Sequence, residues 1–150
     1  MATWQFDLEM VPQGLAAIPI DEPWADVEPP PDWEALVANV LPAATSWDPV
    51  HLRTWGTDDG HRLDVWVDDG RLRSILVRID ARQRDCDSIC SRIAHLAHSL
   101  RALFRTSTGL IVEPSLTALA DALEGSAAKR FVRDPELFFR RLRLGGYEDA

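Results

Sequence analysis

Three alternating runs broken by glycine turns limit this chain most tightly. Val50 to Trp55, Leu63 to Val67 and Leu72 to Ile79 place apolar residues at roughly every second position, the period of a half-buried strand. The first two runs are joined across Gly56 to Gly60, and Asp68-Asp69-Gly70 turns the chain between the second and third. That second turn admits a two-residue Asp69-Gly70 loop or a three-residue loop with Gly70 left-handed. The longer loop is preferred, because it sets Leu63, Val65 and Val67 on the face that carries Ile75, Val77 and Ile79. A three-stranded antiparallel meander results, and its apolar face needs a cover.

Helical signals supply that cover. Pro31-Asp32-Trp33-Glu34 opens a helix whose Trp33, Leu36, Val37, Val40 and Leu41 fit one stripe, and Pro42 ends it. From Asp87 as N-cap, the stripe Ile89, Ile93, Leu96, Leu100, Leu103 and Phe104 predicts a long central helix running to about Arg105. Pro114-Ser115 begins a helix with Leu116, Leu119, Ala120 and Leu123, closed near Gly125, and Asp134-Pro135-Glu136 begins another that carries Leu137, Phe138 and Leu142. Thr3 to Val11 reads as a first strand, Leu110-Ile111-Val112 as a short one, and the last few residues are expected to fray.

The expected architecture is α+β: a mainly antiparallel sheet of four to five strands, packed on one face by about four helices. With 150 residues the chain has the length of one domain. Residues 1–49 read as an irregular, acidic, Pro- and Trp-rich N-terminal part with one helix, and 50–144 as the sheet and helix core.

Charge is distributed unevenly. Residues 1–70 hold fourteen acids against Arg53 and Arg62, a balance of −12, whereas residues 71–150 carry +4, which gives the net −8. All six tryptophans fall in the acidic half. Such a chain repels nucleic-acid phosphates at long range and steers basic partners inward. The N-terminus lacks a basic segment followed by an apolar one, and no stretch approaches the roughly 20 apolar residues that span a bilayer. A cytoplasmic protein with free Cys86 and Cys90 thiols is expected.

No residue pattern fixes a reaction. A Gly-x-Ser-x-Gly elbow, a phosphate-binding glycine loop, a dinucleotide fingerprint and His-Glu-x-x-His are all missing from the sequence. Cys86, Cys90, His95 and His98 resemble zinc ligands by type, but at about 100° per residue they point in different directions around one helix. Asp58-Asp59 and Asp68-Asp69 suit hairpin turns, and about 17 Å of intervening strand separates them. Neither a metal nor a cofactor is expected. A carboxylate-dependent hydrolase using His51 or His61, or a cysteine nucleophile paired with one of them, stays open as an alternative. Lys129, Arg130, Arg133, Arg140, Arg141 and Arg143 form a basic run, three members of which suit the C-terminal end of a helix.

Trp55 with the Leu63 to Asp80 hairpin, the long helix ending at Phe104, and the tail from Ser126 to Phe138 together resemble small acidic immunity proteins of bacterial secreted toxin systems. The resemblance covers roughly residues 50–144. It implies a non-enzymatic, single-domain protein that binds a basic toxin domain and blocks it. Small acidic secretion chaperones, which commonly form homodimers, are a second resemblance. The residues expected to meet a protein partner are Asp58, Asp59, Asp68 and Asp69, which steer it, and Trp24 and Trp55, which anchor it; Trp33 and Trp66 are expected in the core.

Overall fold

The alternating runs fold as adjacent strands, and a strand from the N-terminus extends the sheet beyond the third of them. The structure is a computed structural model that describes residues 2–145, so the expected fraying after Gly145 lies outside the described residues. In chain order the elements are β1 (Gln5–Pro12), α1 (Trp33–Ala38), β2 (Ala43–Ala44), β3 (Leu52–Gly56), β4 (Arg62–Asp68), β5 (Arg71–Asp80), α2 (Cys86–Leu100), β6 (Ala102–Thr106), β7 (Ile111–Val112), α3 (Leu116–Glu124), α4 (Ala127–Arg133) and α5 (Pro135–Arg143). The strands form a seven-stranded antiparallel sheet of order β2-β3-β4-β5-β1-β6-β7. The α+β class is as expected, with more strands and five helices among the described residues. Because β1 pairs with both β5 and β6, residues 5–12 stand in the middle of a core that the sequence pattern confined to 50–144.

One face of the sheet is apolar. Phe6, Leu8 and Met10 of β1, Leu63, Val65 and Val67 of β4, and Leu72, Ile75, Val77 and Ile79 of β5 are buried there. Trp33 and Val37 of α1, Ile89, Ile93, Leu96 and Leu100 of α2, Leu119 and Leu123 of α3, and Ala128 of α4 complete the same cluster. α5 adds an outer layer, in which Phe138 packs edge-on against Phe131 of α4 at 5.7 Å between centroids.

The β4–β5 connection corrects the expected loop. Asp68 pairs with Arg71, so the loop is the shorter one, with both Asp69 (φ 51) and Gly70 (φ 73) left-handed as a type I′ hairpin requires. The face relation survives because a bulge sets in beyond Trp66. Trp66 faces Ser74 while Val67 faces Leu72, which leaves Arg73 as the extra residue.

The long helix is also shorter than its apolar stripe. α2 starts at Cys86, with Asp85 rather than Asp87 at the N-cap position, and stops at Leu100, where Arg101 turns left-handed (φ 55). Leu103 and Phe104 then belong to β6, where Ala102, Phe104 and Thr106 face the core in strand alternation. The unpaired side of β1 offers backbone hydrogen bonds to β6 from Leu8 to Pro12, and these displace continued helix.

Candidate binding surface

Among the described residues the helices pack on the apolar face, and the register shows what the second face presents. Thr54, Asp64, Leu76, Glu9, Arg105 and Ile111 lie in one row across six strands, and Arg62, Arg78 and Asp7 lie in the next. Neighbouring charges on this floor neutralise one another. Arg62 Nε donates to Asp64 Oδ1 at 2.9 Å, Arg78 Nε to Asp7 Oδ1 at 2.9 Å, and Arg105 to Glu9. The bond to Asp7 holds the Arg78 guanidinium above its usual range, against the opposing pull of burial.

Arg105 also ties down the proline-rich N-terminal segment, donating to the Pro19 and Ile20 carbonyls at 3.0 and 3.2 Å. The segment then crosses to β5, where Trp24 N donates to the Arg73 carbonyl at 3.1 Å. Between Ile20 and the β6–β7 turn at Thr106 to Gly109 lies an open cleft of about 690 Å³, floored by Asp7, Glu9, Leu76 and Arg105.

The exposed aromatic surface lies at the other side of this face. Strand alternation turns Trp66 outward between the buried Val65 and Val67. Leu52, its register partner on β3, shares that face beside it and is buried. Trp47, in the loop before β3, meets Trp66 edge to face at 6.0 Å between centroids. Trp47 is 75% exposed, Trp66 37%, and nearby Val50 71%. Three aspartates lie near the pair along the chain, and Arg71 faces one of them, Asp68, across the hairpin. Asp48 follows Trp47 and contacts His51 Nδ1 at 3.0 Å; Asp68 shares a face of β4 with Trp66 and meets Arg73 at 3.5 Å; Asp69 forms the adjoining turn.

This arrangement reassigns the expected anchors. Trp24 is 1% exposed, and its Nε1 donates to the Met10 carbonyl at 2.8 Å, so it closes the sheet where β1 parts from β5. Trp55, 6% exposed, pairs with Leu63 on the core face. Both are structural, as is Trp33, whereas Trp66 is on the surface and not in the core. Sequence reasoning passed over Trp47, Val50 and the outward side of Trp66. The signal for Trp66 was present, since the alternation that sends Leu63, Val65 and Val67 inward sends it outward.

The four aspartates do not share one surface. Asp68 and Asp69 adjoin the tryptophan pair, while Asp58 and Asp59 sit in the β3–β4 turn at the opposite end of β4, about 20 Å away by strand rise. Asp58 there accepts from Arg62, and the Asp59 carbonyl accepts from Arg82 Nη2 at 2.8 Å.

That far end holds a polar cluster with its donors and acceptors matched. The Asp80 N–H donates to His61 Nδ1 at 3.0 Å, so the neutral ring carries its hydrogen on Nε2, which donates to Asp85 at 2.8 Å. The bond from His61 holds the Asp85 carboxyl below its usual range. Asp85 therefore serves the sheet and makes no side-chain cap to α2. Asp80 is fully buried; burial alone would raise its carboxyl, but hydrogen bonds from Arg82 and Gln83 outweigh that and lower it.

Cys86 donates to the Asp80 and Gln83 carbonyls at 3.5 and 3.1 Å, and among the described residues it makes no hydrogen bond to His51 or His61. Burial raises the Cys86 thiol and pushes Cys90 up to about 11. Thiols held in this form are poor nucleophiles. Both cysteines are buried whereas His95 and His98 are exposed, and among the described residues no group of three or more His, Cys, Asp or Glu side chains is placed to hold a metal ion. No described helix is long and apolar enough to cross a membrane. In the basic run, Arg133 pairs with Glu124, and Arg130 donates to the Gly125 carbonyl at 2.6 Å.

Compared with known proteins, the chain matches no family model, no curated protein and no solved structure.

Proposed function

We propose that this protein is a binding inhibitor of the immunity type. It captures a basic protein domain, such as a secreted toxin domain, on the acidic, tryptophan-bearing end of its second sheet face and so blocks that domain's activity. The observation that carries the reading is the exposed Trp47–Trp66 pair, with the exposed Val50 three residues after Trp47 in the same loop. Exposed tryptophans at the centre of a contact are the side chains that most often dominate binding energy, and a rigid strand holds Trp66 in place before the partner arrives. Asp48, Asp68 and Asp69 near the pair, in a chain of net charge −8, supply the long-range attraction for a basic partner.

The test passes the tagged protein over an extract of its own host at low and high salt. A stoichiometric basic partner retained at low salt, released at high salt and inhibited in its own activity by the bound protein is the expected result. Trp47→Ala with Trp66→Ala should weaken that capture by at least about 30-fold, a hot-spot loss near 2 kcal/mol. Asp68→Asn with Asp69→Asn should slow association, while Asp58→Asn with Asp59→Asn at the far end should change it little. A partner bound equally well by all these variants, at either salt concentration, contradicts the assignment of this surface.

A further inference from the structure

The chemistry around the Trp47–Trp66 pair narrows what the partner must place on it. An indole face attracts a cation within about 6 Å of its centroid, and the molecule uses this contact internally: the Arg82 guanidinium lies 4.1 Å over the Trp4 ring. Trp47 has most of its ring area open to solvent, so an equivalent position over it is free. Two arginines of the β4–β5 hairpin, Arg71 as the register partner of Asp68 and Arg73 at 3.5 Å from its carboxylate, are the cations already near the pair.

The carboxylates decide between an apolar and a cationic occupant. Asp68 stands two residues from Trp66 on the same strand face, its side chain is 56% exposed, and its contact with Arg73 is a long one of 3.5 Å. An apolar side chain seated on the tryptophans would strip water from Asp48 and Asp68 and return no hydrogen bond, an unfavourable exchange. A cationic side chain returns a charge-assisted hydrogen bond to the exposed Asp68 carboxylate. Between the two cations, a guanidinium stacks flat on an indole and keeps its in-plane N–H groups for a carboxylate at the ring's edge, which a compact ammonium does not do.

We infer that Trp47 and Trp66, with Asp68 beside them, form a receptor for an arginine side chain of the partner. The inference rests on the binding reading above and specifies the chemistry at its centre.

Short acetylated, amidated tripeptides Gly-X-Gly test it, with X as arginine, lysine or the neutral isostere citrulline. Binding is followed through the indole N–H resonances of the 15N-labelled protein, assigned with Trp47→Phe and Trp66→Phe. The arginine peptide should shift the Trp47 and Trp66 signals selectively, with an affinity several-fold above lysine and about tenfold above citrulline. Asp68→Asn should reduce the arginine response several-fold, and Asp58→Asn should leave it unchanged.

Equal responses to arginine and citrulline overturn the inference, as does an arginine response spread over the other indoles or insensitive to Asp68→Asn. If these peptides show no arginine preference while capture of the protein partner still depends on Trp47 and Trp66, the arginine receptor falls and the binding reading stands. If the arginine response appears but no partner depends on those residues, the receptor chemistry stands and the inhibitor reading falls.

Discussion

Replacing Trp24 by alanine separates a structural tryptophan from a binding one. Its indole is almost wholly buried, packs with the main core, and donates from Nε1 to the Met10 carbonyl at 2.8 Å. Truncating a buried tryptophan costs about 3–5 kcal/mol through lost transfer energy and the cavity left behind. Leaving the Met10 carbonyl without its donor adds about 1 kcal/mol. The total of about 4–6 kcal/mol is a large share of the 5–15 kcal/mol that usually holds a domain together. With a urea slope of about 2 kcal/mol per molar, the unfolding midpoint should fall by about 2–3 M. Trp24→Phe keeps most of the ring and loses the donor, so its cost should be about 1–2 kcal/mol. Urea unfolding followed by far-UV circular dichroism reads both variants. A Trp24→Ala protein with an unchanged midpoint and lost partner capture would refute the structural role and restore Trp24 as an anchor.

Further outcomes follow from other parts of the structure. Gly56 has φ +95, and a Cβ there would meet the His61 carbonyl oxygen at 2.1 Å, so Gly56→Ala should cost at least about 2–3 kcal/mol in the same urea assay. Trp47→Ala should change the midpoint by less than about 0.5 kcal/mol equivalent, because most of its ring is in water. The Asp85 carboxyl is held below its ordinary value of 3.8 by His61, so its contribution is complete above that value and disappears as pH falls through the lower folded-state value. Asp85→Asn should therefore flatten part of the stability loss below about pH 4, seen in thermal midpoints across an acid series; an unchanged acid slope would contradict the His61–Asp85 bond. Cys86 and Cys90 should label slowly at pH 8 in the folded protein and rapidly in urea, since burial raises both thiols. Fast native labelling would show that the α2 face opens.

Much of the sheet was legible because alternation marks the strands from Leu52 to Ile79 and glycine turns separate them. The limits of that legibility have physical causes. Leu96, Leu100, Leu103 and Phe104 keep helical spacing past the true end of α2, and Arg101 takes the left-handed position without the glycine that usually marks such a stop. What decides for a strand at Ala102 is the open edge of β1 roughly ninety residues earlier, a tertiary partner that local pattern does not contain. The bulge at Arg73 is similar: it lets the tight Asp69-Gly70 turn and the inward apolar set coexist, and counting residues alone forced a choice between them. α4 was missed although Ser126 caps it through the Lys129 N–H, because seven residues carry too little periodicity to stand out.

For the binding surface, composition located the acidic, tryptophan-rich half but did not say which rings face outward. Strand parity settles Trp66. Trp47 precedes Asp48-Pro49 in a loop, where exposure depends on what the loop packs against. Trp24 lies in a segment with no period, and only the tertiary gap beside Met10 explains its burial.

Hydrogen exchange on the captured complex tests the binding surface most directly. Amides in residues 45–51 and 66–73 should gain protection when the partner binds, while residues 57–62 and the exposed side of α5 should exchange as in the free protein. Protection centred on the β3–β4 turn or on α4 and α5, with the Trp47–Trp66 region unchanged, would contradict the assignment.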